Sequence, residues 1–173
     1  MHSLRTAAVL LVAVALPCWG VLAQSLPATE GETLSGKPTT LARDVSGKPA
    51  VVVIGFSKAS SSETAAWAKR LKGDASLAGM AVYQVAVLEE VPKLVRGMVK
   101  SSIRGSVPAA DQGTFVMLFH DEAQWKELAH YGKADDAYVV VLDAHGMTRS
   151  TVAGAVAEHY GEVIEVAKRV LQP

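Results

Sequence analysis

Cysteine is nearly missing: Cys18 is the only one in 173 residues. A single cysteine excludes an intramolecular disulfide, a Cys-x-x-Cys pair and any cysteine-based metal site. An excess of either charge is missing too, with 17 Lys plus Arg against 17 Asp plus Glu and a pI near 7.0. That balance argues against a dedicated nucleic-acid binder, which usually carries a basic surplus. Internal repeats and long linkers are also absent. What is present is a chain half apolar and one-fifth charged, the composition of a single globular domain.

The N-terminal residues 1–23 read as a secretory signal peptide. Arg5 supplies a positive start, an apolar stretch follows from Ala7, and Pro17 breaks it. Val21-Leu22-Ala23 then offers small residues where a signal peptidase reads, which predicts cleavage before Gln24. The alternative is retention as an anchor, although Pro17 and Gly20 interrupt the segment and its length is short for a span. Pro17 before Cys18 argues against a lipoprotein, and the segment is neither Arg-rich nor amphipathic enough for a mitochondrial presequence. Cleavage would remove Cys18 and send a thiol-free protein to a periplasmic or secreted location.

Residues 24–49 are rich in Pro and Gly and predict an extension or a small hairpin around Leu34 and Thr39-Thr40-Leu41. The run Ala50-Val51-Val52-Val53-Ile54-Gly55-Phe56 predicts a buried central strand. Ser60 and Glu63 have the spacing of a capping box, predicting a helix over 61–72 closed near Gly73. Strands are expected over 81–87, 114–119 and 138–142, with a hairpin partner over 147–152. Helices are expected from Pro92 to about Arg104, from the Asp121/Gln124 cap pattern to Tyr131, and over 157–171. Strands and helices alternate before a terminal hairpin and helix, which predicts an α/β fold with a central mixed sheet flanked by helices, in thioredoxin-like order.

Gly47-Lys48-Pro49 ahead of the first core strand resembles extracytoplasmic thioredoxin-like and peroxiredoxin-like proteins, as does the segment from Phe115 to the Leu142-Asp143-x-x-Gly146 turn. The resemblance makes residues 50–173 a thioredoxin-like domain. Three pieces resemble, more narrowly, the thioredoxin-like family of mitochondrial ATP-synthase assembly proteins and its bacterial relatives. They are Gly55-Phe56-Ser57-Lys58, the basic segment between Pro92 and Pro108, and Ala137-Tyr138-Val139-Val140-Val141-Leu142-Asp143. A secretory signal departs from a matrix-side role.

The resemblance implies that redox-active members carry a cysteine in the turn after the first core strand, where the helix terminus favours thiolate. Here that turn is Ser57-Lys58-Ala59-Ser60-Ser61-Ser62-Glu63, with the attacking sulfur's place near Ser60 and its partner's near Glu63. The family's cis-proline position falls near Ala137. Ser57, Lys58, Ser60, Ser61 and Glu63 therefore form a degenerate active-site loop. It reads as a helix cap first and as an anion site second. A serine-hydrolase elbow fails because the last Gly of G-x-S-x-G is Ala59.

His120, His130, His145 and His159 show no metal-ligand spacing, and no cofactor or catalytic residue is expected. Glu89 and Glu90 would flank the helix after Pro92, Asp135 and Asp136 read as solvated, and Trp67 and Trp125 read as core. At 100° per residue, Lys93, Arg96, Lys100 and Arg104 share one arc of the 91–104 helix. Val91, Leu94, Val95, Met98 and Val99 lie opposite and are expected to pack on the sheet. The stripe is either an ordinary solvated face or a surface for an acidic protein partner or an anionic membrane. The expectation is an exported non-redox thioredoxin-like binding or assembly module that does not bind nucleic acid. The alternative is a peroxiredoxin-like or other small-molecule enzyme acting without its own thiol.

Overall fold

Apolar runs bounded by Pro, Gly and Ser become strands buried on both faces, and they set the whole architecture. A computed structural model describes residues 24–172; the signal-peptide reading of residues 1–23 lies outside them. The strands are β1 (Glu30–Thr33), β2 (Pro38–Thr40), β3 (Ala50–Gly55), β4 (Ala81–Val87), β5 (Phe115–Leu118), β6 (Tyr138–Leu142) and β7 (Thr148–Ala153). The helices are α1 (Leu41–Asp44), α2 (Ser61–Lys72), α3 (Arg96–Ser106), α4 (Glu122–Leu128) and α5 (Val156–Leu171). A 3-10 turn at Lys93–Val95 leads into α3.

The sheet order is β2-β1-β5-β4-β3-β6-β7. β3, β4 and β5 are parallel, as crossover helices require, while β6, β7, β1 and β2 pair antiparallel. The sheet is therefore mixed, as the alternation predicts. The hairpin expected in 24–49 exists as β1–β2, with Leu34 buried at its turn.

Side chains alternate across the sheet. One face carries Val52, Ile54, Val85, Val116, Leu118 and Val140 against Trp125 and Leu128 of α4. The other carries Val51, Val53, Val139 and Val141 against Trp67 and Leu71 of α2 and Val163 and Ala167 of α5. Trp67 and Trp125 are both fully buried, in agreement with their reading as core. Their indole N–H groups are satisfied by the Gly154 carbonyl at 2.9 Å and by the Thr29 hydroxyl at 3.0 Å.

The third apolar cluster lies at the β5 side, where Leu34, Phe115 and Met117 receive Ile103 and Val107 from the α3 segment. Phe115 pairs with Gln84 and Met117 with Ala86 in the β4–β5 register, which fixes the face of the sheet that α3 covers. Gln84 donates to Thr64 of α2 at 3.1 Å, so α2 and α3 share that face.

Candidate functional site

β3 ends at Gly55, and the chain turns through residues 56–60 into α2. Gly55 is needed here because a Cβ would stand 2.7 Å from Ser60 Oγ and 3.0 Å from Thr64 Cγ2. The missing side chain lets the head of α2 lie against the central strand.

Ser60 occupies the position that the resemblance gives to the attacking sulfur, and it is fully buried. The expected capping box does not form. Ser60 Oγ donates back to the Ser57 carbonyl at 3.0 Å rather than accepting from the helix. Ser57 supplies the acceptor instead, and its hydroxyl takes the Ala59 N–H at 3.1 Å and the Ser60 N–H at 3.3 Å. Ser61 Oγ donates to the Lys58 carbonyl at 2.7 Å. Glu63 leaves its own helix and accepts from the Val156 N–H at 3.3 Å, at the start of α5. A local S-x-x-E pattern is overridden because β3 buries Ser60 and α5 begins within reach of Glu63.

The same turn is tied to the loop before β6, since Ser57 Oγ donates to the Ala134 carbonyl at 2.5 Å. Tyr138 braces that loop, accepting from the Gly132 and Lys133 N–H groups at 2.9 and 2.8 Å and donating to the Lys133 carbonyl at 2.7 Å. Phe56 packs edge-on against Tyr131 and Tyr138, with ring centroids 5.2 and 5.5 Å apart. Ala137, at the family's cis-proline position, is buried, and no peptide bond among the described residues is cis. Lys58 and Ala59 form the exposed tip of the turn.

The hydroxyls of Ser57, Ser60 and Ser61 all donate to main-chain carbonyls. None reaches an imidazole or carboxylate that could take its proton, so none is set up as a nucleophile. The turn is a structural joint between β3, α2 and the β6 loop.

Two of the acids, Glu89 and Asp121, depart from the roles expected of them. Glu89 does not flank α3; its carboxylate accepts from the Glu122 N–H at 2.7 Å and caps α4 from outside. It is needed there because Asp121, expected to cap α4 itself, adopts φ 62° and turns its carboxylate to the Thr29 hydroxyl at 3.0 Å and His120 at 3.2 Å. The hydrogen bonds with His120 and Thr29 hold the Asp121 carboxyl below its ordinary range. His145 lies in the β6–β7 turn, as expected, where Asp143 accepts its N–H at 2.8 Å. Among the described residues no group of three His, Cys, Asp or Glu side chains could hold a metal ion.

The α3 stripe is reversed relative to the sequence reading. Arg96 lies over the Phe119 ring, 4.6 Å from its centroid, and donates to the Val91 carbonyl at 2.9 Å. Lys100 pairs with Glu32 of β1, and Arg104 donates to the Leu34 carbonyl, with Nε at 2.9 Å. Three of the five apolar residues expected under the helix point outward instead, Leu94 being 96% exposed, Met98 75% and Val95 37%, while Val91 and Val99 are half-buried. The Leu34 carbonyl, the Glu32 carboxylate and the Phe119 ring on the β1–β5 side of the sheet attract the cations, and the Val91 carbonyl holds Arg96 within its own segment. Ile103 and Val107 alone supply the apolar footing.

One polar group escaped the sequence reading altogether. Asp74, between α2 and the next turn, accepts from Ser76 N at 2.8 Å, Ser76 Oγ at 2.6 Å and Tyr160 Oη at 2.6 Å. These bonds hold the Asp74 carboxyl down at about 2. Burial and the Asp74 carboxylate push the Tyr160 hydroxyl up to about 12. Arg70 sits 4.7 Å from the Tyr160 ring centroid. Asp74-Ala75-Ser76 has the Asx-turn spacing that could have revealed half of this group.

No protein-family model matches the chain, and no curated protein does. Solved structures do match in fold. BsSco, a member of the Sco family of cytochrome c oxidase assembly proteins, superposes with TM-score 0.59 at 13% identity, over 87% of this chain and 96% of its own. The thioredoxin domain of a thiol-disulfide oxidoreductase from Bacteroides vulgatus gives 0.56 at 17% identity, over 84% and 96%. A SCO1/SenC family lipoprotein from Bacillus anthracis gives 0.54 at 15% identity, over 87% and 97%. The fold is thioredoxin-like. Within that fold, the turn between β3 and α2 is built around Ser57 and Ser60.

Proposed function

We propose that this protein is an exported, non-redox thioredoxin-like module that binds or assembles other components. The observation that carries the reading is Ser60, buried at the sulfur's position with its hydroxyl committed to Ser57. A serine there has no thiolate to offer. Removal of residues 1–23 would also take away Cys18, the only thiol. An assembly role is compatible with this fold, since BsSco is described as a member of a family of assembly proteins. The narrower resemblance to ATP-synthase assembly proteins points the same way.

The test is chemical. The exported protein, its N-terminus read by intact mass, is offered insulin with dithiothreitol and, separately, hydrogen peroxide. No turnover above blank is expected, with a chain that starts at Gln24. Reduction of insulin or consumption of peroxide would overturn the non-redox reading; an intact Met1 would overturn cleavage.

A further inference from the structure

We propose that α3 and the turn before it form a membrane-docking face, which lays Leu94, Val95 and Met98 into the interface of an anionic bilayer. The inference rests on the exported binding module just described and names what that module binds.

Leu94 and Met98 are three-quarters or more exposed, and Val95 adjoins them. Their outward direction follows from how the helix is fixed. Ile103, Arg96, Lys100 and Arg104 make its contacts with the β1–β5 side of the sheet, through Met117 and its neighbours, Phe119, Glu32 and Leu34. The face left outside carries Gly97, Ser101 and Gly105 between and beyond the apolar tips. All three are exposed. Neither the cavity bordered by Arg70 and Tyr160 nor the one bordered by Arg43 and Asp44 is lined by residues of this segment. A fluid lipid interface conforms to projecting apolar side chains such as Leu94 and Met98.

Charge favours the same occupant. No Asp or Glu occurs from Val91 to Ala110, a stretch that holds Lys93, Arg96, Lys100 and Arg104. Lys100 is neutralised by Glu32. Arg96 and Arg104 donate to main-chain carbonyls, which carry no formal charge, so both retain their own. Lys93 is exposed and makes no ion pair among the described residues. Even with the exposed Glu90 counted, the segment stays positive. Apolar tips with cations beside and behind them are the pattern of a helix lying in the headgroup layer of anionic lipid. Among the described residues no helix is long and apolar enough to cross a membrane, so the attachment is peripheral.

The experiment is flotation of the exported protein with phosphatidylcholine vesicles, with and without phosphatidylglycerol, over a salt series. Wild type, Leu94→Glu/Met98→Glu and Lys93→Glu are compared, with intact mass confirming one N-terminus for all three, so that any leader contributes equally. Wild type should bind the anionic vesicles and lose them as salt rises. The double variant should bind at least about tenfold more weakly with an unchanged melting curve, because neither side chain is buried. Lys93→Glu should weaken binding to anionic vesicles only. Binding by the double variant equal to wild type overturns the proposal. So does equal wild-type binding to both lipids, or a wild-type dimer in solution that the double variant dissolves, which would assign the face to a second copy. Insulin reduction, measured on the same sample, would overturn the functional reading without touching the vesicle result. Failure of the redox-silent wild type to bind anionic vesicles at low salt would overturn this inference alone.

Discussion

Ser60 at the head of α2 is fully buried, while Leu94 at the approach to α3 is 96% exposed. The hydroxyl lies under the central strand and the leucine lies in water. Polarity did not choose these positions. Ser60 is buried because Gly55 opens a space only as large as a small side chain and because Ser57 supplies an acceptor there. Leu94 is exposed because the helix it leads into is anchored by cations that find Phe119, Glu32 and the Leu34 carbonyl beside β1 and β5. Burial costs a polar group little once it is hydrogen-bonded. Exposure of a few apolar groups is tolerated when others in the same helix supply the footing.

The largest effect that can break this contrast is under α3. Met117→Ala should lower unfolding free energy by about 2–5 kcal/mol, since Met117 is fully buried. Leu94→Ala should stay within about 0.5 kcal/mol of wild type. Urea melts of the two variants decide it; equal losses would mean that Leu94 is packed. Next in size is the contact at the serine turn. Gly55→Ala should cost about 1–3 kcal/mol by driving a methyl into Ser60 Oγ. Adding Ser60→Ala should restore part of that, with Thr64 still in the way. A double variant no more stable than the single would remove the contact as the cause.

A smaller effect concerns Asp74 and Tyr160, which tie α2 to α5. The Asp74 carboxyl is lowered from 3.8 to about 2, so its contribution is complete above the ordinary value and is lost as pH falls through about 2. Tyr160 is raised from 10.0 to about 12, so its contribution is complete below the ordinary value and is lost as pH rises through about 12. Thermal melts should therefore weaken beyond both ends of that window, and Asp74→Asn should flatten the acid limb. An acid limb identical in Asp74→Asn would assign it to other carboxylates. The smallest effect is that of Ser60→Cys. Its melting curve should stay close to wild type, and its thiol should resist Ellman's reagent until the protein unfolds, because a buried thiol is inert. Labelling at the rate of a free thiol would show the turn to be open.

Much of the fold was legible in the chain. The β-branched runs at Val51-Val52-Val53 and Val139-Val140-Val141, buried on both sides, leave few options beyond a central sheet. The alternation with helices then orders it. The hairpin at Thr39 and the core roles of Trp67 and Trp125 were equally readable. The side-chain partners were not. Glu63, Glu89 and Asp121 all sit in cap-like positions, yet Glu63 serves α5, Glu89 serves α4, and Asp121 holds Thr29 and His120. Each partner lies at least 33 residues away or is chosen by a left-handed backbone, except for His120 next door. Periodicity showed that α3 has two unlike faces. It could not show which face meets the sheet, because that depends on Glu32, Leu34 and Phe119 in other elements.

β1 has one neighbour near in sequence and one far away. It pairs with β2 within a few residues, but Gly31 lies opposite Leu118 and Thr29 bonds Asp121 across 92 residues. A hairpin of this kind closes in about 1–10 μs. Its place in the sheet exists only after the chain through β5 has been made and brought back, and such long closures slow folding. A locally paired hairpin thus waits on a long closure, and until β1 docks, the β5 edge that it covers stands open.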